Sequence, residues 1–135
     1  MKSLVNHLSH ACFTCTDVEA TRHFYECVLG FKVVHEFNND RDELYGIYLA
    51  IGQNTFLEFF KGSISDDRNG SFRHICFAVS DIVSLKAELE KLNRKVTVQR
   101  GRTDGTLQMW IRDPNGIMIE FHEYDSQSIL SKFQK

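Results

Sequence analysis

Residues 10–17 read HACFTCTD, and residues 74–81 read HICFAVSD. His, Cys, Phe and Asp recur in register, 64 positions apart. A second echo lies downstream. TFLEFF at 55–60 and IMIEFH at 117–122 place Glu58 and Glu120 62 positions apart. Each half thus offers one histidine on an early strand and one glutamate on a late strand. Two imidazoles and two carboxylates make a first coordination shell for a divalent metal. The repeat also makes the fold two copies of one unit.

The same order of elements reads out on either side of these echoes. In the first half, 4–14 is apolar and predicts a strand. Asp17 is placed as a helix N-cap, Glu19 suits the first turn, and Val18, Thr21, Phe24, Tyr25 and Val28 recur at helical spacing. Gly30 closes that helix. Strands follow at 31–37, 45–51 and 55–60, the last two flanking a Gly52-Gln53-Asn54 turn. Residues 61–71, KGSISDDRNGS, are polar and aperiodic and form the linker. The second half predicts a strand at 72–79, a helix at 82–92 capped by Asp81, and strands at 95–99, 107–112 and 117–123. Asp113-Pro114-Asn115-Gly116 is the turn before the last strand. A tail follows, with a short helix around Ile129, Leu130 and Phe133. The expected architecture is α+β: a first βαβββ module over 1–60, a linker over 61–71, a second module over 72–124 and a tail over 125–135.

Bulk composition limits the function. A chain of 135 residues suits one domain or two small modules with a shared core. A net charge of −2 provides no basic footprint, so nucleic acid is not an expected partner. MKSLVNHLSH lacks the apolar run of a secretory signal, and no stretch is long enough for a membrane-spanning helix. The expected location is the cytoplasm, with Cys12, Cys15, Cys27 and Cys76 reduced. Cys12 and Cys15 form a C-x-x-C, but a zinc ribbon needs a second such pair and a redox motif opens a helix. Small, buried, apolar cysteines are the better reading.

Strand alternation puts Leu8, His10, Cys12 and Thr14 on one face, and His74, Cys76 and Ala78 on another. Glu58 shares a face with Phe56 and Phe60, and Glu120 with Met118 and His122. Burying a carboxylate among such neighbours costs several kcal/mol unless a cation compensates, and a metal would serve. The candidate ligands are therefore His10, Glu58, His74 and Glu120. His7 falls on the opposite face from His10. His122 is placed to line the pocket without ligating. His23 and His35 read as surface residues.

H-x-C-x-x-x-x-D-V-x-A-x-x-F-Y-x-x-V-L-G-F at 10–31, L-E-F at 57–59, R-H-I-C-F-A-V-x-D-I at 73–82 and D-P-N-G-x-x-I-E-F at 113–121 together resemble the vicinal oxygen chelate superfamily. Within this superfamily of glyoxalase I, bleomycin-resistance proteins and extradiol dioxygenases, glyoxalase I (lactoylglutathione lyase) is most similar. The resemblance runs up to Tyr124. It implies two βαβββ modules forming cupped, barrel-like mixed sheets around one divalent metal (Ni, Zn, Co or Mn) held by His10, Glu58, His74 and Glu120. Dioxygenases and fosfomycin-resistance proteins use two His and one Glu, so Glu58 as a fourth ligand favours the glyoxalase pattern.

The chemistry implied is lyase or isomerase action on a small molecule with adjacent oxygens. The metal polarises a carbonyl, and Glu58 and Glu120 move a proton between carbons through an enediolate. Phe56, Phe60, Trp110 and Met118 or Met109, with His122, would wall the substrate pocket. Thr14 and Gly62 stand where glutathione enzymes commonly keep Arg and Asn, so glutathione is not the expected thiol, although Arg100, Arg102 or Lys61 could compensate. The alternatives are another metalloenzyme of the superfamily (epimerase, sugar isomerase or dioxygenase) and a non-catalytic, ligand-sequestering binding protein. A homodimer is expected, because the family often builds its site from modules of two chains.

Overall fold

A computed structural model describes residues 3–65 and 70–134. The chain divides into two compact units, Met1–Asp67 and Arg68–Lys135. In the first, β1 (His10–Cys15) leads to α1 (Val18–His23), a π-helical segment (Phe24–Val28), β2 (Lys32–Asn38), β3 (Leu44–Ile51) and β4 (Thr55–Lys61). In the second, β5 (Ile75–Ala78) leads to α2 (Ile82–Lys91), β6 (Gln99–Arg100), β7 (Leu107–Arg112), β8 (Met118–Glu123) and a 3₁₀ turn at Ser131–Phe133. Each unit is one open four-stranded sheet, β1-β4-β3-β2 or β5-β8-β7-β6, so neither sheet closes on itself. The first strand of each unit lies parallel to the last, and the other pairs are antiparallel. The βαβββ reading of both halves holds.

The repeat extends to the caps. Asp17 accepts from Ala20 N at 3.0 Å, and Asp81 accepts from Ser84 N at 2.9 Å. Each satisfies an amide that the first helical turn would leave unpaired. Beyond the caps, one face of each sheet takes the helix. In the first unit Ile47, Leu49, Leu57 and Phe59 are fully or almost fully buried, with α1 against β3 and β4 and Tyr25 packed on Phe59 at 5.0 Å. In the second, Met109, Ile119 and Phe121 lie under α2, which contributes Ile82 and Leu89. Because alternation sends the intervening residues to the opposite face, Glu58 and Glu120 leave their sheets on the side away from the helix.

Several boundaries differ from the sequence expectation, mostly for want of a partner. The first strand begins at His10, not at residue 4: His10 pairs with Phe56 and β4 starts at Thr55, so earlier residues have no ladder to join. The strand expected at 72–79 starts at Ile75, which leaves His74 at its mouth. The strand expected at 95–99 is only Gln99–Arg100, opposite Gln108 and Leu107. The single helix expected through Val28 becomes π-helical from Phe24. Phe24 and Tyr25 are consecutive and both buried, which a 3.6-residue stripe accommodates poorly. An extra residue in the turn brings both rings inward, and Phe31 N then donates to Tyr25 O at 2.9 Å. The expected linker overlaps β4 at Lys61, and its residues 66–69 lie outside the described ones.

The chain end is latched to the 101–105 loop. Arg100 grips Asp125 with two hydrogen bonds, at 3.1 and 2.7 Å, and also donates to Gly105 O. Ile129 N donates to Asp104 O at 2.8 Å. Gly105 has φ +67, and a Cβ there would sit 2.4 Å from Gln127 O. Gly52 has φ +57 with nothing within 4 Å of its Cβ position. Alanine at either site meets the left-handed penalty of about 1–2 kcal/mol, but only Gly105→Ala also drives a methyl into backbone. We therefore expect Gly105→Ala to lose about 1–3 kcal/mol more than Gly52→Ala in urea unfolding. Equal losses would mean that the tail does not close on this loop.

Candidate metal centre

The register of each sheet builds a three-residue row on the face away from the helix. In the first unit Cys12, Glu58 and Tyr48 are lateral neighbours on β1, β4 and β3. In the second the row is Cys76, Glu120 and Trp110 on β5, β8 and β7. The histidine two residues before each cysteine reaches back to the glutamate. His10 Nε2 stands 3.9 Å from Glu58 Oε1, and His74 Nε2 stands 3.1 Å from Glu120 Oε2. Each imidazole meets the row's aromatic edge-to-face: His10 on Tyr48 at 5.7 Å and 86°, His74 on Trp110 at 4.8 Å and 76°. Both glutamates are buried while both histidines stay partly exposed, so each pair opens toward solvent through its imidazole.

The hydrogen-bonding of the two carboxylates differs. Each accepts from its neighbouring thiol, Glu58 from Cys12 and Glu120 from Cys76, and Glu58 also accepts from the Tyr48 hydroxyl. Glu120 Oε1 lies 2.7 Å from His122 Nε2, whose Nδ1 is 3.3 Å from the Tyr124 hydroxyl. Among the described residues, the ion-pair partners of both carboxylates are imidazoles rather than Lys or Arg. Of the cysteines expected to be buried, Cys15 is, but Cys12, Cys27 and Cys76 keep exposed surface; partial desolvation, together with the neighbouring carboxylate, still pushes the Cys12 thiol up to about 11 and the Cys76 thiol up to about 12. Burial, then Cys76 and Glu120, raise Tyr124, while at Tyr48 the hydrogen bond to Glu58 leads.

Donor chemistry and spacing fit a divalent ion. Nitrogen and oxygen donors each about 2.1 Å from one ion stand roughly 3–4 Å apart, depending on the angle. The 3.1 and 3.9 Å separations fall in that span. Among the described residues, Cys76, Glu120 and His122 form the group of three donors whose ligand atoms lie within 4.8 Å of one another.

The other candidates divide by strand parity. Phe56 and Phe60 share Glu58's face, and Phe60 extends an aromatic cluster with Phe37 at 5.0 Å and Tyr45 at 5.8 Å. Trp110 and Met118 share Glu120's face. Met109 does not wall a pocket: it is fully buried on the helix side, opposite Phe121. Arg100 is not free to compensate for a missing anion partner, because Asp125 holds it. That guanidinium keeps the Asp125 carboxyl down at about 2. His7 lies in the exposed segment before β1. Tyr48 escaped the sequence reading although it stands 62 positions before Trp110, the same offset that links the glutamates. Thr14 and Gly62 prove to be neighbours. A Cβ at Gly62 would lie 3.0 Å from the Thr14 methyl, and Gly62 N donates to Cys15 O at 2.9 Å.

Paired βαβββ sheets carrying a His–Glu pair each define a class of small metal-chelating folds. The model of the Glyoxalase/Bleomycin resistance protein/Dioxygenase superfamily matches residues 7–121, and the chain belongs to that superfamily. It is 29% identical over 130 residues to the Virulence protein STM3117 of Salmonella typhimurium, covering 92% of this chain and 88% of that one. It is 27% identical over 135 residues to the Metallothiol transferase FosB of Lysinibacillus sphaericus, covering 97% and 92%. The structure of a lactoylglutathione lyase from Agrobacterium tumefaciens superposes with a TM-score of 0.69 at 19% identity, covering 90% of this chain and 96% of that one. This likeness is one of fold. The superfamily commonly binds a divalent metal.

Glu120 sets the acidity of its neighbour, and the direction can be tested. A carboxylate beside a thiol disfavours the thiolate, so Glu120→Gln should lower the Cys76 pKa from about 12 toward the ordinary 9.0, with burial still holding it above. The alkylation midpoint of Cys76, followed by peptide mass in metal-free protein, should move to lower pH. An unchanged or higher midpoint would separate Cys76 from Glu120.

Proposed function

We propose that the protein is a metal-dependent lyase or isomerase of glyoxalase I type, acting on a small substrate with two adjacent oxygens. The observation that carries this reading is the repeated His–Glu pair, in which a buried carboxylate faces an imidazole and no Lys or Arg ion pair among the described residues. We propose that His10 and Glu58 of one unit and His74 and Glu120 of another complete one site. When bound there, a divalent ion supplies Lewis acidity to a substrate carbonyl and so acidifies the adjacent C–H. Glu58 and Glu120 are the groups placed to take that proton on a carboxylate oxygen and return it to the neighbouring carbon. Tyr48 and the Cys12 thiol hold Glu58 from one side, and His122 holds Glu120. Phe56, Phe60, Trp110 and Met118 present apolar surface beside these carboxylates and would exclude water. His10→Ala, Glu58→Gln, His74→Ala and Glu120→Gln should each lower the Ni²⁺ retained after dialysis of Ni²⁺-loaded protein, measured by plasma emission, by about tenfold or more, and His7→Ala should not. Full metal retention in both histidine variants would remove the ligand assignment.

The assembly belongs to the same proposal. An open sheet with an exposed face and a site built from two units suits a homodimer with closed two-fold symmetry. Light scattering of the metal-loaded protein at micromolar concentration should give twice the chain mass. A monomer would refute the dimer.

The substrate follows from what the mouth lacks. Thr14 and Gly62 offer an incoming thiol's carboxylates no charge, and Arg100 is committed to Asp125, so only Lys61 and Arg102 of the expected cations are left to meet them. Losing such contacts costs on the order of 2–5 kcal/mol, or roughly thirty- to several-thousand-fold in affinity. The glutathione–methylglyoxal hemithioacetal should therefore turn over weakly or not at all with Ni²⁺- or Zn²⁺-loaded protein, followed as thioester absorbance. A catalytic efficiency in the usual range of about 10⁴–10⁸ M⁻¹s⁻¹ would instead make it an ordinary glyoxalase I. The Lysinibacillus relative's name favours a second reading, metal-dependent thiol transfer. Product analysis separates the two, because an isomerisation conserves the substrate's mass and a thiol transfer adds to it.

A further inference from the structure

The two units differ at one position that changes their ligand chemistry. Two residues after Glu58, β4 carries Phe60; two residues after Glu120, β8 carries His122. The first unit therefore presents Cys12, Glu58 and an aromatic ring, and the second presents Cys76, Glu120 and an imidazole. Cys76 and Glu120 are direct partners across the parallel pair, and His122 is the next residue along β8 on the same face. Alternation thus fixes all three side chains on one side of a rigid sheet. Their sulfur, oxygen and nitrogen donors lie within 4.8 Å of one another.

We propose that the second unit by itself holds a thiophilic divalent cation, Zn²⁺ foremost, through Cys76 Sγ, a Glu120 carboxylate oxygen and His122 Nε2. The site shares Glu120 with the four-residue set proposed above but needs neither His10 nor Glu58. A thiolate with an imidazole selects Zn²⁺ over Mg²⁺ or Ca²⁺, which take oxygen ligands. Three protein donors leave a position open to water or substrate, the pattern of catalytic zinc sites. The proton changes balance. In the metal-free arrangement, the tautomer that suits an ionised Glu120 has Nε2–H donating to Oε1 across the 2.7 Å contact, which leaves Nδ1 to accept from the Tyr124 hydroxyl. To ligate through Nε2, the neutral ring carries its proton on Nδ1 instead, and the 3.3 Å contact then runs from Nδ1–H to the Tyr124 oxygen. The thiol gives up its proton to solvent as the S–metal bond forms, so binding releases one proton. Tyr124 would orient the imidazole as outer-sphere groups do at metal sites.

Co²⁺ is the probe, because a thiolate ligand gives it a sulfur-to-metal charge-transfer band in the near ultraviolet that nitrogen and oxygen donors do not. The band should appear in the unaltered protein, in Cys12→Ser and in the double variant His10→Ala/Glu58→Gln. It should vanish in Cys76→Ser, and Co²⁺ affinity should fall by about tenfold or more in His122→Phe, which copies the first unit. Bound Co²⁺ without the band, or a band that survives Cys76→Ser, would overturn the proposal. A Co²⁺ complex that lacks the band and is lost in His10→Ala would leave the four-residue reading standing while this one falls. A band at full occupancy in His10→Ala/Glu58→Gln would do the reverse. A measurement without variants guards against misfolding. Saturating Zn²⁺ should protect Cys76, but not Cys27, from alkylation mapped by peptide mass, and an unprotected Cys76 would equally overturn the site.

Discussion

Two carboxylates held on the open faces of β-sheets set the terms for the rest of the molecule. A buried, ionised glutamate costs several kcal/mol unless charge or donors meet it. Here the neighbours that meet Glu58 and Glu120 are weak or titratable: a thiol, a phenol and an imidazole for one, a thiol and two imidazoles for the other. A lysine or arginine would satisfy the charge permanently and close the site. Imidazoles can instead exchange a proton for a cation. The thiols of Cys12 and Cys76 are raised by desolvation first and by these carboxylates second.

The sheet makes this arrangement repeatable. Helix and glutamate lie on opposite faces because strand side chains alternate, and a one-residue slip would bury the carboxylate under the helix and turn Leu57 and Phe59 outward. The parallel pairing of first strand with last is what sets cysteine beside glutamate in both units. Once that register is fixed, the histidine two residues upstream reaches the carboxylate without further design. The small Gly46 serves the same face: a Cβ there would lie 2.5 Å from the Phe60 ring, so the glycine leaves room for that ring beside Glu58.

Features that depend on local chemistry were legible in the sequence. The repeat, the two aspartate caps, the Asp113 turn and the pairing of His10 with Glu58 and of His74 with Glu120 all follow from residue type and spacing. The Asp113 turn behaves as its residues imply, with Oδ1 accepting from Asn115 N and Ile117 N, both at 2.8 Å. Features that depend on a partner's length or on three-dimensional neighbours were not legible. Where β1 begins is decided by where β4 begins, and nothing in residues 4–9 says so. Met109 reads like a wall residue until its register with Phe121 places it under α2. Arg100 reads as a free cation until the tail supplies Asp125. His122 reads as a bystander because its 2.7 Å approach to Glu120 is a matter of rotamer, not of spacing.

The contact between Thr14 and Gly62 joins two departures that look independent in sequence. The threonine methyl occupies the space into which any side chain at residue 62 would begin to grow. A residue large enough to bind an anion at 62 therefore requires a different residue, or a different rotamer, at 14. The two positions are sterically coupled, because the threonine methyl must yield by a few tenths of an ångström to admit a Cβ at 62. The effect of this contact is to keep the positions beside Lys61, the last residue of β4, small, next to a face that carries Phe60, Phe37 and Tyr45 in mutual contact. Under the proposed function, such a wall would select a substrate by shape and apolar area, with Lys61 as a cation at this end of the strand.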